Sequence, residues 1–137
     1  MAKLVLEFEA DYDFHLIGIC SHVKDYRISW EINKLLGLGL VRDEDYKLFL
    51  QKEVLPFPFF SYIKEEELKE FYLIGNRSKG VNLIPEEAEV DYFLMLKGFF
   101  SETEVKHLAQ KIGGLKTVLT SFAIEVEALK SKQNLVF

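Results

Sequence analysis

Leu4, Leu6 and Phe8 alternate with polar or charged neighbours, and Tyr12 to Cys20 contains the apolar run Phe14-His15-Leu16-Ile17-Gly18-Ile19-Cys20. Both stretches read as strands, either one bent strand or a short hairpin. The period then changes. Ile28, Ile32, Leu35 and Leu36 fall on one face of a helix that Ser21 or Asp25 is placed to cap and that Gly37 ends. After the Gly37-Leu38-Gly39 turn, Asp45 to Lys52, Pro58 to Lys64 and Leu68 to Gly75 are strand-like runs divided by proline or charged turns, an antiparallel meander in outline.

Asn76 to Gly80 reads as a polar loop, and Ile84 is extended because proline follows it. Val90 to Phe99 has the composition of a central strand. Ser101-Glu102-Thr103-Glu104 is a capping box opening a second helix, whose buried stripe is Val105, Leu108, Ala109 and Ile112 and whose stop is Gly113. Leu115 to Ile124 is a last strand, Glu125 to Ser131 a helical turn or coil, and Leu135-Val136-Phe137 an apolar tail.

The order β–α–β–β–β–β–α–β, with an extra strand in the opening residues, predicts an α+β fold. Its expected form is a mainly antiparallel sheet with two helices on one face, a ferredoxin-like βαβ…βαβ frame with an inserted β-hairpin. A chain of 137 residues is the size of one core, so residues 1–137 are expected to form a single domain.

Composition sharpens this picture in three places. Twelve Phe, six Tyr and one Trp supply enough apolar area for a sizeable core. A net charge of −5 opposes long-range attraction to phosphate backbones or anionic membranes, so neither nucleic acid nor membrane is expected as a partner. Cys20 is the only cysteine, which suits a reducing compartment, and the opening residues lack a signal peptide's continuous apolar core. A cytoplasmic protein is the expectation.

Candidate chemistry is sparse. His15, His22 and His107 lie without metal-ligand spacing, no phosphate loop opens a helix, and Cys20 and the serines sit outside nucleophile motifs. No metal, cofactor or catalytic residue is expected. Glu65-Glu66-Glu67 and the Lys130-Ser131-Lys132 pair of lysines read as solvated turns. Asp25-Tyr26-Arg27, where a strand gives way to a helix, suits either helix capping or the binding of a polar ligand. Pro56-Phe57-Pro58-Phe59-Phe60 reads as an edge or connection; if exposed, Phe57, Phe59 and Phe60 mark a partner surface.

The run Ile84-Pro85-Glu86-Glu87-Ala88-Glu89-Val90-Asp91-Tyr92, with Asp25-Tyr26-Arg27 and Lys130-Ser131-Lys132-Gln133-Asn134-Leu135 in order around it, resembles the IPExxxVDY family over the whole chain. The resemblance implies a short cytoplasmic bacterial protein of the kind typical of Bacteroidetes, and carries no activity, substrate or cofactor. Physically, Pro85 locks a loop that feeds the strand from Val90. Glu86 and Asp91 then bind backbone amides or Arg27 and hold the sheet to the first helix, or else serve a ligand.

The leading functional expectation is a non-enzymatic protein-interaction or adaptor module that engages a protein partner or a second copy of itself. The alternative is a small-ligand regulatory domain using Asp25, Tyr26, Arg27, Pro85, Glu86, Asp91 and Tyr92. An RNA-binding sheet ranks third. An enzyme, with His22 beside Glu86 or Asp91, ranks last.

Overall fold

The computed structural model describes residues 13–137. The expected strand over Leu4 to Phe8, and the opening of the one from Tyr12, lie outside the described residues.

Among the described residues, ten strands and two long helices follow one another. β1 is His15–Ser21, α1 Asp25–Leu36, β2 Val41–Arg42, β3 Tyr46–Phe49, β4 Val54–Phe57, β5 Phe59–Lys64, β6 Lys69–Gly75, β7 Arg77–Ser78, β8 Val81–Asn82, β9 Tyr92–Gly98, α2 Glu102–Gly113 and β10 Val118–Ile124. Single 3-10 turns fill Glu65–Glu67, Pro85–Glu87, Val126–Ala128 and Lys132–Leu135. Six strands form one sheet in the order β10-β1-β9-β6-β5-β2, every neighbouring pair antiparallel. β3 with β4 and β7 with β8 make two separate hairpins.

The protein is therefore α+β, with a mostly antiparallel sheet and two helices. Ile17, Ile19, Leu73, Leu94 and Leu96 point to one face of the sheet and pack against Ile28 and Ile32 of α1 and Val105, Ala109 and Ile112 of α2. Leu16, Cys20, Ile74, Phe93 and Met95 point to the other face, where Leu55 and Phe57 of the β3–β4 hairpin, then Leu83, Ile84, Val90, Val126, Leu129 and Leu135, cover them. Alternation along each strand gives both faces an apolar layer, and each large side chain wholly removed from water adds about 1.5–3 kcal/mol.

Helix ends follow the sequence in part. Gly37 ends α1 in the left-handed conformation (φ 67°), its N–H bonding the Asn33 carbonyl. Lys24, not Ser21 or Asp25, holds the α1 N-cap position, and no side chain caps it. Ser21 is instead buried, its hydroxyl donating to the Thr117 carbonyl at 2.6 Å. At α2 the Ser101 hydroxyl accepts the Glu104 N–H at 3.1 Å, but the Glu104 carboxylate turns to Lys69 Nζ at 2.6 Å.

Two readings need correction. The run Asp45 to Lys52 is shorter than expected, with a strand only over Tyr46–Phe49, and it pairs with Val54–Phe57, an edge strand of the kind that Pro56 suggested. Proline is tolerated there because β4 has a ladder partner on one side only. The supposed polar loop at Asn76 begins with a side chain that is wholly buried.

Candidate functional site

The stretch from Ile84 to Tyr92 is the best candidate site, and its construction starts at Asn76. β6 ends at Gly75, beside Pro58, whose ring lies 2.8 Å from where a side-chain carbon on residue 75 would sit. The chain turns there, placing the Asn76 amide under the motif. Its Oδ1 accepts the Ile84 N–H at 2.9 Å, and its Nδ2 donates to the Val90 carbonyl at 2.8 Å and the Glu87 carbonyl at 3.0 Å. The Asn76 main chain adds two further bonds, its N–H to the Asp91 carbonyl and its carbonyl from the Leu83 N–H. One buried amide thus supplies the partners that a short irregular turn cannot supply itself.

Each motif residue then has a visible task. Ile84 is buried in the second face; Pro85 opens the 3-10 turn; Val90 is buried beside it. Glu86 reaches the C-terminal segment, its two oxygens accepting the Ser131 N–H at 2.6 Å and the Ser131 hydroxyl at 2.8 Å. Burial opposes ionisation of Glu86, but these Ser131 bonds and neighbouring backbone amides outweigh it and hold the carboxyl below the usual range. Asp91 accepts the Ser21 N–H at 2.7 Å and pairs with the Arg77 guanidinium, which also donates to the Ala88 carbonyl at 2.8 Å. Tyr92 donates from its hydroxyl to the Val23 carbonyl at 2.7 Å. Burial, with the charges of Asp25 and Asp91, pushes the Tyr92 phenol up to about 12, so it remains a donor at neutral pH.

A cleft of about 310 Å³ lies beside this network, lined by Ser21, His22, Lys24, Arg77, Asp91, Tyr92 and their neighbours. Asp91 and Tyr92 face it, whereas Asp25, Arg27 and Glu86 are not among its lining residues. Arg27 pairs with Glu31 at 2.8 Å along the surface of α1, and Glu31 also accepts from Thr117. The Asp25 carboxylate accepts the N–H of Tyr26, and the Tyr26 ring is 67% exposed. The sequence-adjacent trio therefore divides between a helix start and a helix surface. His22 shares the cleft with Asp91, whose two oxygens are engaged by Ser21 and Arg77. Burial above all, and then the charge of Asp91, raises the Cys20 thiol, leaving it un-ionised.

The expected aromatic surface is not one. Phe57 is wholly buried, Phe60 nearly so, and Phe59 is stacked on Tyr72 at 5.7 Å and surrounded by Tyr46 and Phe137. Phe57 lies in the β3–β4 hairpin over the second face, and Phe60 points to the helix face. With both faces covered, the sheet offers no broad platform for base stacking.

Exposed apolar groups lie elsewhere. Trp30 is 54% exposed on α1, between Arg27 and Lys34. On β10, Leu119 is 65% and Phe122 37% exposed, and Thr120 and Ala123 are exposed as well. Among the described residues β10 has a single neighbour, β1. A bulge separates Cys20↔Thr120 from Ser21↔Val118, so Leu119 has no partner on β1.

Sequence reasoning missed Asn76, Arg77 and Asn134, whose Nδ2 donates to the Leu83 carbonyl. The signal for Asn76 was its position: an amide directly after an apolar strand and before a turn whose backbone needs partners. Among the described residues, no group of three or more His, Cys, Asp or Glu side chains is arranged to hold a metal ion. None of their helices is long and apolar enough to cross a membrane. Compared with known proteins, the chain matches no family model and no curated protein.

Proposed function

We propose that this protein is a non-enzymatic interaction module of the bacterial cytoplasm, a member of the IPExxxVDY family, and that it engages its partner through the outer edge of β10. The observation that carries the reading is the character of that edge. Seven residues, Val118-Leu119-Thr120-Ser121-Phe122-Ala123-Ile124, contain no charge and no proline, and among the described residues their backbone is paired on one side. Proteins normally blunt such an edge with charges, proline or a covering element, because its open N–H and C=O groups recruit further strands. An edge left this way is suited to strand addition.

The other polar features support the same reading, because they are engaged internally. Glu86, Asp91, Tyr92 and Asn76 tie the C-terminal segment, the end of β1 and the entry to α1 into one unit. For the architecture, the order β10-β1-β9-β6 with α1 and α2 as crossovers supports a ferredoxin-like frame, in which β2 to β5 are an insertion between α1 and β6.

The test is capture by the full-length protein compared with a T120K/A123K variant, which places two lysines on exposed positions of the edge. The expected result is a bound protein, another chain or the same one, that the variant loses while keeping its melting temperature. Undiminished capture by the folded variant would remove β10 from the function.

A further inference from the structure

We infer that the partner of the β10 edge is a second copy of this chain, joined by antiparallel β10–β10 pairing across a two-fold axis to give one continuous twelve-stranded sheet. This inference rests on the reading of β10 as the binding edge and names its occupant. The two ends of the sheet differ, and the opposite end is the less suited to such a joint. At the opposite end β2 is two residues long, and Arg42, within it, is paired with Asp45 and donates to the Asp43 carbonyl at 2.8 Å. Short length and charge close that end.

The charges flanking β10 make it self-complementary. Lys116 precedes the strand and Glu125 follows it, with only uncharged residues between Lys116 and Glu125. Turning a second strand end for end brings the Lys116 end of one copy to the Glu125 end of the other. Parallel pairing would place like charges together. Electrostatics of this kind fixes direction and register more than affinity.

The ladder with β1 sets the centre of the joint. Its regular part runs from Thr120 to Ile124, opposite Cys20 to Leu16, and the bulge at Leu119 interrupts it. A two-fold axis through the middle of this segment places Phe122 opposite its own copy and Thr120 opposite Ile124; Lys116 then lies three residues from Glu125 of the other copy, so the flanking charges favour the antiparallel direction without pairing one to one. Phe122 sits opposite Gly18 of β1, where a side-chain carbon would come within 3.3 Å of the Phe122 Cζ, so its ring occupies the space that the glycine leaves and stays 37% exposed. An aromatic pair across neighbouring strands adds stability beyond the backbone bonds. Isologous pairing of one patch with itself is the commonest way for a soluble chain to form an oligomer.

Sedimentation equilibrium of the full chain over a wide micromolar range tests this. The account expects a monomer–dimer equilibrium, shifted to monomer in T120K/A123K with an unchanged melting temperature. K116E alone is expected to weaken the dimer modestly, and K116E/E125K to recover the loss, because reversing both charges restores opposite signs where the two strand ends approach. A double variant no tighter than K116E would overturn the antiparallel direction. A wild-type chain that stays monomeric would overturn the inference. If that monomer still captures another protein through β10, the interaction-module reading survives; if its β10 amides resist hydrogen exchange without any partner, the edge is covered by the chain itself and both fall.

Discussion

One face of the sheet is covered by two helices of twelve residues each, and the other by a four-residue hairpin pair, short 3-10 turns and a C-terminal segment. The helices satisfy their own backbone and need only an apolar stripe to dock, so burial of Ile28, Ile32, Val105, Ala109 and Ile112 holds that face. The second cover has comparable apolar content, with Leu55, Phe57, Leu83 and Ile84 wholly buried, but its backbone lacks regular partners. Side chains supply them: Asn76 for the Ile84 turn, Asn134 for Leu83, Glu86 for Ser131, and Tyr46, whose hydroxyl donates to the Asn134 carbonyl. The stretch from Ile84 to Tyr92 belongs to this second kind of cover, which explains why Glu86 and Asp91 are taken up in bonds to Ser131, Ser21 and Arg77.

The largest effect should fall on the helix face. Ile32→Ala empties a wholly buried site between α1 and the sheet and is expected to cost about 3–4 kcal/mol in denaturant unfolding. On the second face Asn76→Ala should cost about 2–3 kcal/mol, because the Ile84 N–H and the carbonyls of Glu87 and Val90 lose a partner inside the protein. The comparison breaks if Asn76→Ala is silent, since the second cover would then be held by apolar contact alone.

Glu86→Gln should have the smallest effect at neutral pH and a distinctive one in acid. The folded protein holds this carboxyl below its usual range, so its contribution is complete above that range and disappears as pH falls through the lowered value. Melting temperatures measured from neutral pH downward should therefore fall more steeply for the wild type than for the variant. Parallel curves would separate Glu86 from the anchoring of the C-terminal segment.

The helix face was legible in the sequence because its signals are local: Ile28 and Ile32 four apart, Gly37 as a stop, Ser101 as a cap. The second face was not, because its logic joins residues 45 to 90 positions apart in the chain, such as Glu86 with Ser131 and Tyr46 with Asn134 or Val136. Prolines at 56 and 58 disguised β4, whose two-stranded setting tolerates them. At the candidate site, a family resemblance singled out the motif and physical reasoning gave the attachment of Glu86 and Asp91 to backbone amides or Arg27 as one option, but Arg77, not Arg27, pairs with Asp91. The composition of the Asn-Arg-Ser-Lys-Gly segment reads as solvated, and only the place of Asn76, directly after an apolar strand, signals that its side chain is wholly buried.

In the proposed division of labour, the Ile84 to Tyr92 stretch serves the fold and the β10 edge serves binding. Asp91→Ala tests it most directly, with melting temperature and self-association measured on the same sample. The account predicts a loss of about 2 kcal/mol, from the stranded Ser21 N–H and Arg77, with dimerisation unchanged in the folded protein. A variant that melts like the wild type but no longer associates would contradict it and move the binding site to the motif.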